Sequence, residues 1–140
     1  YQNPRASTAA FILNAKGELL VATRGKEPEK GTLDLPGGFV DNDENAEEGM
    51  VREIKEETGL IINPETVKYQ FSIPNVYRYS GMDIHTLDLF FVCHVYEDAK
   101  VTAADDAANL QWIPLNEVYV ERFGLRSIRQ AVHRFLAQNC

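Results

Sequence analysis

Residues 45–59 limit the possible fold most narrowly, because they specify an α-helix with both ends defined. Asn45 is a favourable N-cap residue, and Glu48 stands where a capping box places its acid. Gly59 suits the left-handed backbone conformation that ends many helices. The sequence therefore predicts a helix from about Ala46 to Thr58.

Three glutamates lie on one face of this helix, beside its apolar stripe. The i, i+3, i+4 spacing of Glu53, Glu56 and Glu57 places their carboxylates on neighbouring turns. A solvated acidic surface is the simplest interpretation of such a face. However, Arg52 can hold a carboxylate in a fixed orientation, and clustered carboxylates with room for water are preferred ligands of Mg²⁺ and Mn²⁺. The pattern favours a divalent metal site.

The remaining chain alternates strand and helix signals without a domain boundary or a repeat. Strands are predicted on both sides of the helix, and a second helix follows them. The predicted strands are 6–13, 18–24, 32–35, 67–79 (broken by Pro74), 86–96 and 110–113, and the second helix is 125–138. This order favours an α+β fold in which helices pack on a mixed sheet.

Composition excludes several classes of protein. The 140 residues suit one domain, and the net charge of −7 comes without the basic patch of a nucleic-acid-binding protein. No apolar run approaches the roughly 18 residues of a membrane span. The two cysteines form no zinc-binding pair, and we expect a cytoplasmic protein. An acidic protein with an anionic phosphate substrate needs cations between the two.

A family signature runs from Gly38 to Leu60. Gly38, five residues, Glu44, seven residues and then Arg-Glu-Ile-Lys-Glu-Glu-Thr-Gly-Leu match the Nudix box at every defined position. The segments 21–24, 35–38 and 112–115 also resemble those of the family. The whole chain, 1–140, thus resembles a single Nudix hydrolase domain.

The resemblance implies both a fold and a reaction. The implied fold is a mixed β-sheet sandwiched between α-helices. The implied reaction is metal-dependent hydrolysis of a pyrophosphate linkage in a nucleoside diphosphate joined to a moiety X, with Mg²⁺ or Mn²⁺ as cofactor. A non-catalytic ligand-binding or regulatory module is the alternative, although such proteins usually lack box glutamates that this chain has. Many members dimerise, so a homodimer is possible.

The resemblance also implies roles for individual residues. Glu53, Glu56 and Glu57 correspond to the metal ligands, and Glu53 to the general base in some members. Other members take the base from a later loop, for which the candidates here are Asp105 and Asp106, with Glu97 weaker. A second set supports the site: Arg52 would orient a carboxylate, Glu44 would brace the loop, and Gly37 and Gly38 would let the backbone approach metal or phosphate.

The sequence indicates the substrate less clearly than it indicates the reaction. Ser72, Pro74 and Ser80 match part of the marker of NADH pyrophosphatases, and residues 1–5 resemble the segment that follows a zinc ribbon in that group. A zinc ribbon upstream of Tyr1 is therefore expected if the resemblance holds. Arg24, Tyr77 and Arg78 are the candidate substrate-binding residues. The expected substrates are, in order, NADH or another dinucleotide, ADP-ribose or a nucleoside-diphosphate sugar, and a nucleoside triphosphate.

Overall fold

A computed structural model describes residues 3–96 and 107–139 of the chain. Within these residues, four strands, an α-helix, three strands and a second α-helix follow one another, with three short 3₁₀ turns between them. The strands are β1 (Arg5–Leu13), β2 (Glu18–Arg24), β3 (Leu33–Asp34), β4 (Gly37–Phe39), β5 (Lys68–Tyr79), β6 (Met82–His94) and β7 (Ala107–Pro114), and the helices are α1 (Ala46–Thr58) and α2 (Arg126–Asn139). None of the described helices is long and apolar enough to cross a membrane.

Strand β1 lies at the centre of the sheet. The strands follow the order β3-β2-β1-β6-β5, with β4 paired to β1 and β7 paired to β2. The β1–β6 pair is parallel, from Arg5 opposite Thr86 to Leu13 opposite His94, and the other pairs are antiparallel. The mixed sheet expected from the sequence is confirmed.

Alternation along β1 directs its side chains into two apolar clusters, one on each face of the sheet. Phe11 packs in the cluster beneath α2, where its ring stacks on Phe135 with the centroids 4.1 Å apart. Ile12 packs in the cluster beneath α1, together with Met50 and Ile54. Each face of the sheet is therefore covered by one helix, which confirms the expected α/β/α sandwich.

Helix α1 begins and ends where the sequence predicts. The Asn45 side chain accepts a hydrogen bond from the Glu48 backbone N–H at 2.8 Å, and the Glu48 side chain accepts one from the Asn45 N–H at 2.9 Å. Gly59 follows the helix in the left-handed conformation, with φ 78°. These caps satisfy backbone groups that the helix itself leaves unpaired, so the direction of α1 is fixed from both ends.

The predicted break at Pro74 is wrong. Strand β5 continues through this residue, which pairs with Leu87 of β6. Strand β5 lies at the edge of the sheet, where a residue without an N–H is tolerated.

One strand bound differs from the prediction, and one strand was not predicted. Strand β6 begins at Met82, because Ser80 and Gly81 make a tight turn with φ 51° and 77°. The short strand β4 was not predicted, because the glycines that form it were read only as a turn. Beyond these points, each predicted strand and helix is present within a few residues.

Candidate active site

The turn between β3 and β4 brings the backbone of two glycines against α1. The Ala10 N–H donates to the Pro36 carbonyl at 2.9 Å, and Gly37 and Gly38 pair with Ala9 and Thr8 of β1. A Cβ atom on Gly37 would collide with the Thr8 carbonyl oxygen and lie 2.7 Å from the Ala9 Cα. Only glycine therefore allows this approach of strand to strand.

Both glycines face carboxylates of α1. The Gly37 N–H donates to Glu57 Oε2 at 2.9 Å, and the Gly38 backbone lies directly against the Glu53 carboxylate. The N–H of Gly37 thus fixes one carboxylate of the helix, and the missing side chain of Gly38 leaves room for another. The predicted role of these glycines, to let the backbone approach metal or phosphate, stays a prediction.

Arg52 links the acids of the helix to the preceding loop. Its guanidinium donates to Glu44 at 2.8 and 3.2 Å, to Glu53 at 2.9 Å and to the Phe39 carbonyl at 3.0 Å, and it lies 3.3 Å from Glu56. Several charge-assisted bonds from one planar group restrict the orientation of each partner. Arg52 therefore positions Glu53 and closes the loop onto α1 through Glu44.

Glu44 and Glu53, which both bind Arg52, have opposite pKa shifts. Hydrogen bonds from Arg52 and from the Asp41 N–H lower the pKa of Glu44, so this carboxylate stays charged and keeps the loop closed. Burial raises the pKa of Glu53 although Arg52 opposes that shift. The Glu53 carboxylate is 18% exposed, whereas Glu56 is 59% exposed. Of Glu44 and Glu53, Glu53 is thus the one that accepts a proton more readily.

Glu53, Glu56 and Glu57 line one cavity of about 420 Å³. Within residues 3–96 and 107–139, no three acidic, histidine or cysteine side chains are grouped so that they hold a metal ion on their own. Mg²⁺, however, usually binds one or two carboxylates and completes its coordination with water and substrate phosphates. Three carboxylates facing one open cavity have the oxygen-donor chemistry that such an ion requires.

A second cavity of about 560 Å³ adjoins the first. Arg24, Asp34, Leu35 and Gly37 line both, so they form a shared wall. The second cavity also contains Tyr77 and Arg78, together with the side of the turn that carries Gly38. The structure thus brings Arg24, Tyr77 and Arg78 to the space beside the acidic helix face.

The three candidate substrate-binding residues differ in how far their side chains are already bonded or buried. Arg24 donates to Asp34 at 2.8 Å and to the Pro28 carbonyl at 2.8 Å, so its guanidinium already has partners. Burial, and then the nearby Asp88 carboxylate, raise the pKa of Tyr77, and its hydroxyl remains a donor at neutral pH. Arg78 is 74% exposed and lies 3.4 Å from Asp83.

Three predicted residues fall outside the part of the chain that the structure describes, and the sequence analysis missed two residues of the second cavity. Asp105, Asp106 and Glu97 are outside the described residues. Asp34 and Asp88 line the second cavity and were not predicted. A charged residue in the otherwise apolar run Leu87-Asp88-Leu89-Phe90-Phe91 was the available signal for Asp88, because a buried acid requires partners.

Comparison with known proteins identifies the family. The NUDIX domain model matches residues 3–135. The chain belongs to the Nudix family. It is 35% identical over 107 residues to an ADP-ribose pyrophosphatase of Methanocaldococcus jannaschii, covering 76% of this chain and 60% of that protein. It is 31% identical over 150 residues to Nudix hydrolase 6 of Arabidopsis thaliana, covering 97% of this chain and 47% of that protein.

Solved structures also resemble this Nudix chain. A MutT NUDIX hydrolase from Burkholderia pseudomallei superimposes with a TM-score of 0.78 at 25% identity, covering 94% of this chain and 98% of that one. The chain spans only about half to three fifths of the two curated relatives named above. The fold and the family are thus shared along nearly the whole Nudix domain.

Proposed function

We propose that this chain is a metal-dependent Nudix hydrolase that cleaves a pyrophosphate linkage in a nucleoside diphosphate joined to a moiety X. The observation that carries the proposal is the convergence of Glu53, Glu56 and Glu57 on one cavity that Gly37 also lines. A merely solvated acidic surface does not require two glycines packed against it or an arginine that orients its acids.

Glu53, Glu56 and Glu57 are the residues that would hold Mg²⁺ or Mn²⁺. Such an ion supplies positive charge beside the phosphate oxygens and makes water more acidic. The cation is needed electrostatically, because the chain has a net charge of −7 and its substrate is an anion.

Proton removal from the attacking water is assigned to Glu53. Its carboxylate is mostly buried, and Arg52 Nη1 holds Oε1 at 2.9 Å, which leaves Oε2 available to accept a proton. A fixed carboxylate of raised pKa is suited to general base catalysis. Asp105 or Asp106 remains the alternative base. Arg52 itself keeps Glu53 in place through its bonds to Glu44 and to the Phe39 carbonyl.

ADP-ribose is the first substrate that we propose, because the similar Methanocaldococcus jannaschii protein is an ADP-ribose pyrophosphatase. NADH is the second candidate, since Ser72, Pro74 and Ser80 match part of the NADH pyrophosphatase marker. Diadenosine polyphosphates, nucleoside-diphosphate sugars and nucleoside triphosphates complete the set to be tested.

The test is a turnover assay on this panel with Mg²⁺ and then Mn²⁺, with released phosphate detected after phosphatase treatment. Glu53→Gln and Glu56→Gln should each reduce kcat by about 10²- to 10⁴-fold. Glu47→Gln is the matched control, because it removes the same charge from α1 outside both cavities. Asp105→Asn and Asp106→Asn decide which carboxylate is the base.

Two results would overturn this proposal. Turnover that survives in both Glu53→Gln and Glu56→Gln would remove the acidic helix face from the reaction. Calorimetric binding of a nucleotide without turnover of any substrate would favour a non-catalytic ligand-binding module. Loss of Mn²⁺ binding in Glu56→Gln, measured by electron paramagnetic resonance, tests the metal assignment independently of catalysis.

A further inference from the structure

The 560 Å³ cavity beside the glutamates has the size of a ligand site, since such sites usually occupy about 300–1,000 Å³. It shares a wall with the acidic cavity through Asp34, Leu35 and Gly37. On the proposed function, on which this inference rests, the pyrophosphate lies beside the glutamates. One end of the substrate then extends across the shared wall into the second cavity.

The charged side chains that line this cavity differ in their exposure to solvent. Asp88 is 3% exposed, whereas Arg5 and Arg78 are exposed. The Arg5 guanidinium lies over the Phe39 ring, 4.1 Å from its centroid, and Arg24 is bonded to Asp34. The innermost charged group is therefore the Asp88 carboxylate, since Arg24 and Asp34 are equally exposed and neutralise each other. A phosphate placed against Asp88 would be repelled, so the occupant must be a part of the substrate without phosphate.

Asp88 is held in place by two short hydrogen bonds. Thr86 Oγ1 donates to Oδ1 at 2.8 Å, and Ser127 Oγ donates to Oδ2 at 2.8 Å. The Tyr77 hydroxyl and the Asn75 amide lie farther away, at 3.4 Å from Oδ2. These partners come from β5, β6 and the first turn of α2. The carboxylate is thus fixed by three elements of the fold.

Asp88 retains capacity to accept a further hydrogen bond. A carboxylate offers about four acceptor positions, and the two short bonds use one on each oxygen. The groups at 3.4 Å are at the long limit for a hydrogen bond and are weak competitors. The other cavity carboxylate, Asp34, also has one short bond on each oxygen, but one of its donors is the charged Arg24 guanidinium, which neutralises it.

We infer that Asp88 is a specificity-determining residue, which accepts a hydrogen bond from an O–H or N–H donor of the substrate part bound in this cavity. The occupant is a neutral group rich in donors, such as a ribose or an amine-bearing base. Its apolar surfaces pack against Leu35, Ile84 and Ile128. A buried acceptor built for a donor rejects an analogue that lacks the donor, because the acceptor is then left without a partner.

Binding to Glu53→Gln protein tests this inference without turnover. ADP-ribose is titrated calorimetrically with Mg²⁺, beside analogues that each lack one donor: the purine analogue without the 6-amino group and the 2′-deoxy analogue of each ribose. One analogue should bind about 10- to 100-fold more weakly than ADP-ribose. Adding Asp88→Asn should reduce that gap to about threefold or less, because the neutral amide is a weaker acceptor.

Ser127→Ala is the matched control, because it removes a bond to Asp88 from outside the cavity. It should lower the melting temperature and leave the affinity gap between ADP-ribose and the weaker analogue unchanged.

Equal binding of all analogues, or an affinity gap unchanged by Asp88→Asn, overturns the inference. If the Asp88 variant does not fold, Tyr77→Phe decides, since loss of the gap there assigns the recognition to the tyrosine hydroxyl. ADP-ribose binding without hydrolysis would contradict the proposed reaction and leave this comparison intact.

Discussion

A Cβ atom on Gly38 would lie 2.6 Å from Glu53 Oε2, which is closer than side-chain atoms approach without displacement. The two residues come from different elements, β4 and α1, and are fifteen positions apart in the sequence. The placement of the Glu53 carboxylate therefore depends on the absence of a side chain at residue 38.

Gly38→Ala should reduce kcat by about 10²-fold, because displacement of a reacting group by roughly 1 Å has an effect of that size. The melting temperature should fall less than in Gly37→Ala, since the clash is with the end of a side chain and not with backbone. Turnover and thermal unfolding are measured together. Full activity in Gly38→Ala would show that Glu53 can act from another position.

Gly37→Ala should instead destabilise the fold, by at least about 2 kcal/mol. Its Cβ would collide with the backbone of Thr8 and Ala9, which cannot move without separating β4 from β1. Urea unfolding measures the loss of stability. The neighbouring Gly38→Ala variant is the control, and equal stability of the two variants would contradict the prediction.

Arg52→Lys should lower kcat by about 10²-fold and lower the melting temperature, because one ammonium cannot replace a planar group that bonds Glu44, Glu53 and the Phe39 carbonyl together. The control is Arg129→Lys, which alters an arginine bonded to the Phe123 and Gly124 carbonyls outside both cavities. The prediction fails if both variants retain the same activity.

Asn45→Ala should reduce the free energy of unfolding by about 1 kcal/mol, through loss of the bond to the Glu48 N–H. Asn63→Ala is the matched control, since Asn63 caps only the 3₁₀ turn Pro64–Thr66 and should contribute less. Urea denaturation gives both values. A larger effect at Asn63 would mean that the α1 cap is not a main determinant of stability.

Cys93 should not react with a disulfide reagent at pH 8 in the folded protein. Burial raises the pKa of its thiol to about 12, so roughly one molecule in 10⁴ carries the thiolate at that pH. The rate is measured in Cys140→Ser protein, which leaves Cys93 as its single thiol. Rapid reaction before denaturant is added would contradict the burial of this residue.

The sequence predicted most of what local patterns determine. Capping residues located α1 within one residue, and the box spacing placed three glutamates where they line one cavity. It did not predict β4, because three residues rich in glycine carry no strand pattern and pair only when β1 lies beside them. Asp88 was missed for a similar reason, since two of its partners, Asn75 and Ser127, come from distant segments of the chain.

The parallel pairing of β1 with β6 has a consequence for biosynthesis. Strand β1 ends at Leu13, whereas its partner ends at His94. A ribosome adding about 5–20 residues per second needs roughly 4–16 s between these two points. Throughout that interval Phe11 and Ile12 belong to a nascent strand without its parallel neighbour, and such strands associate readily with other chains. Chaperone demand during translation is therefore concentrated in the window before His94 emerges.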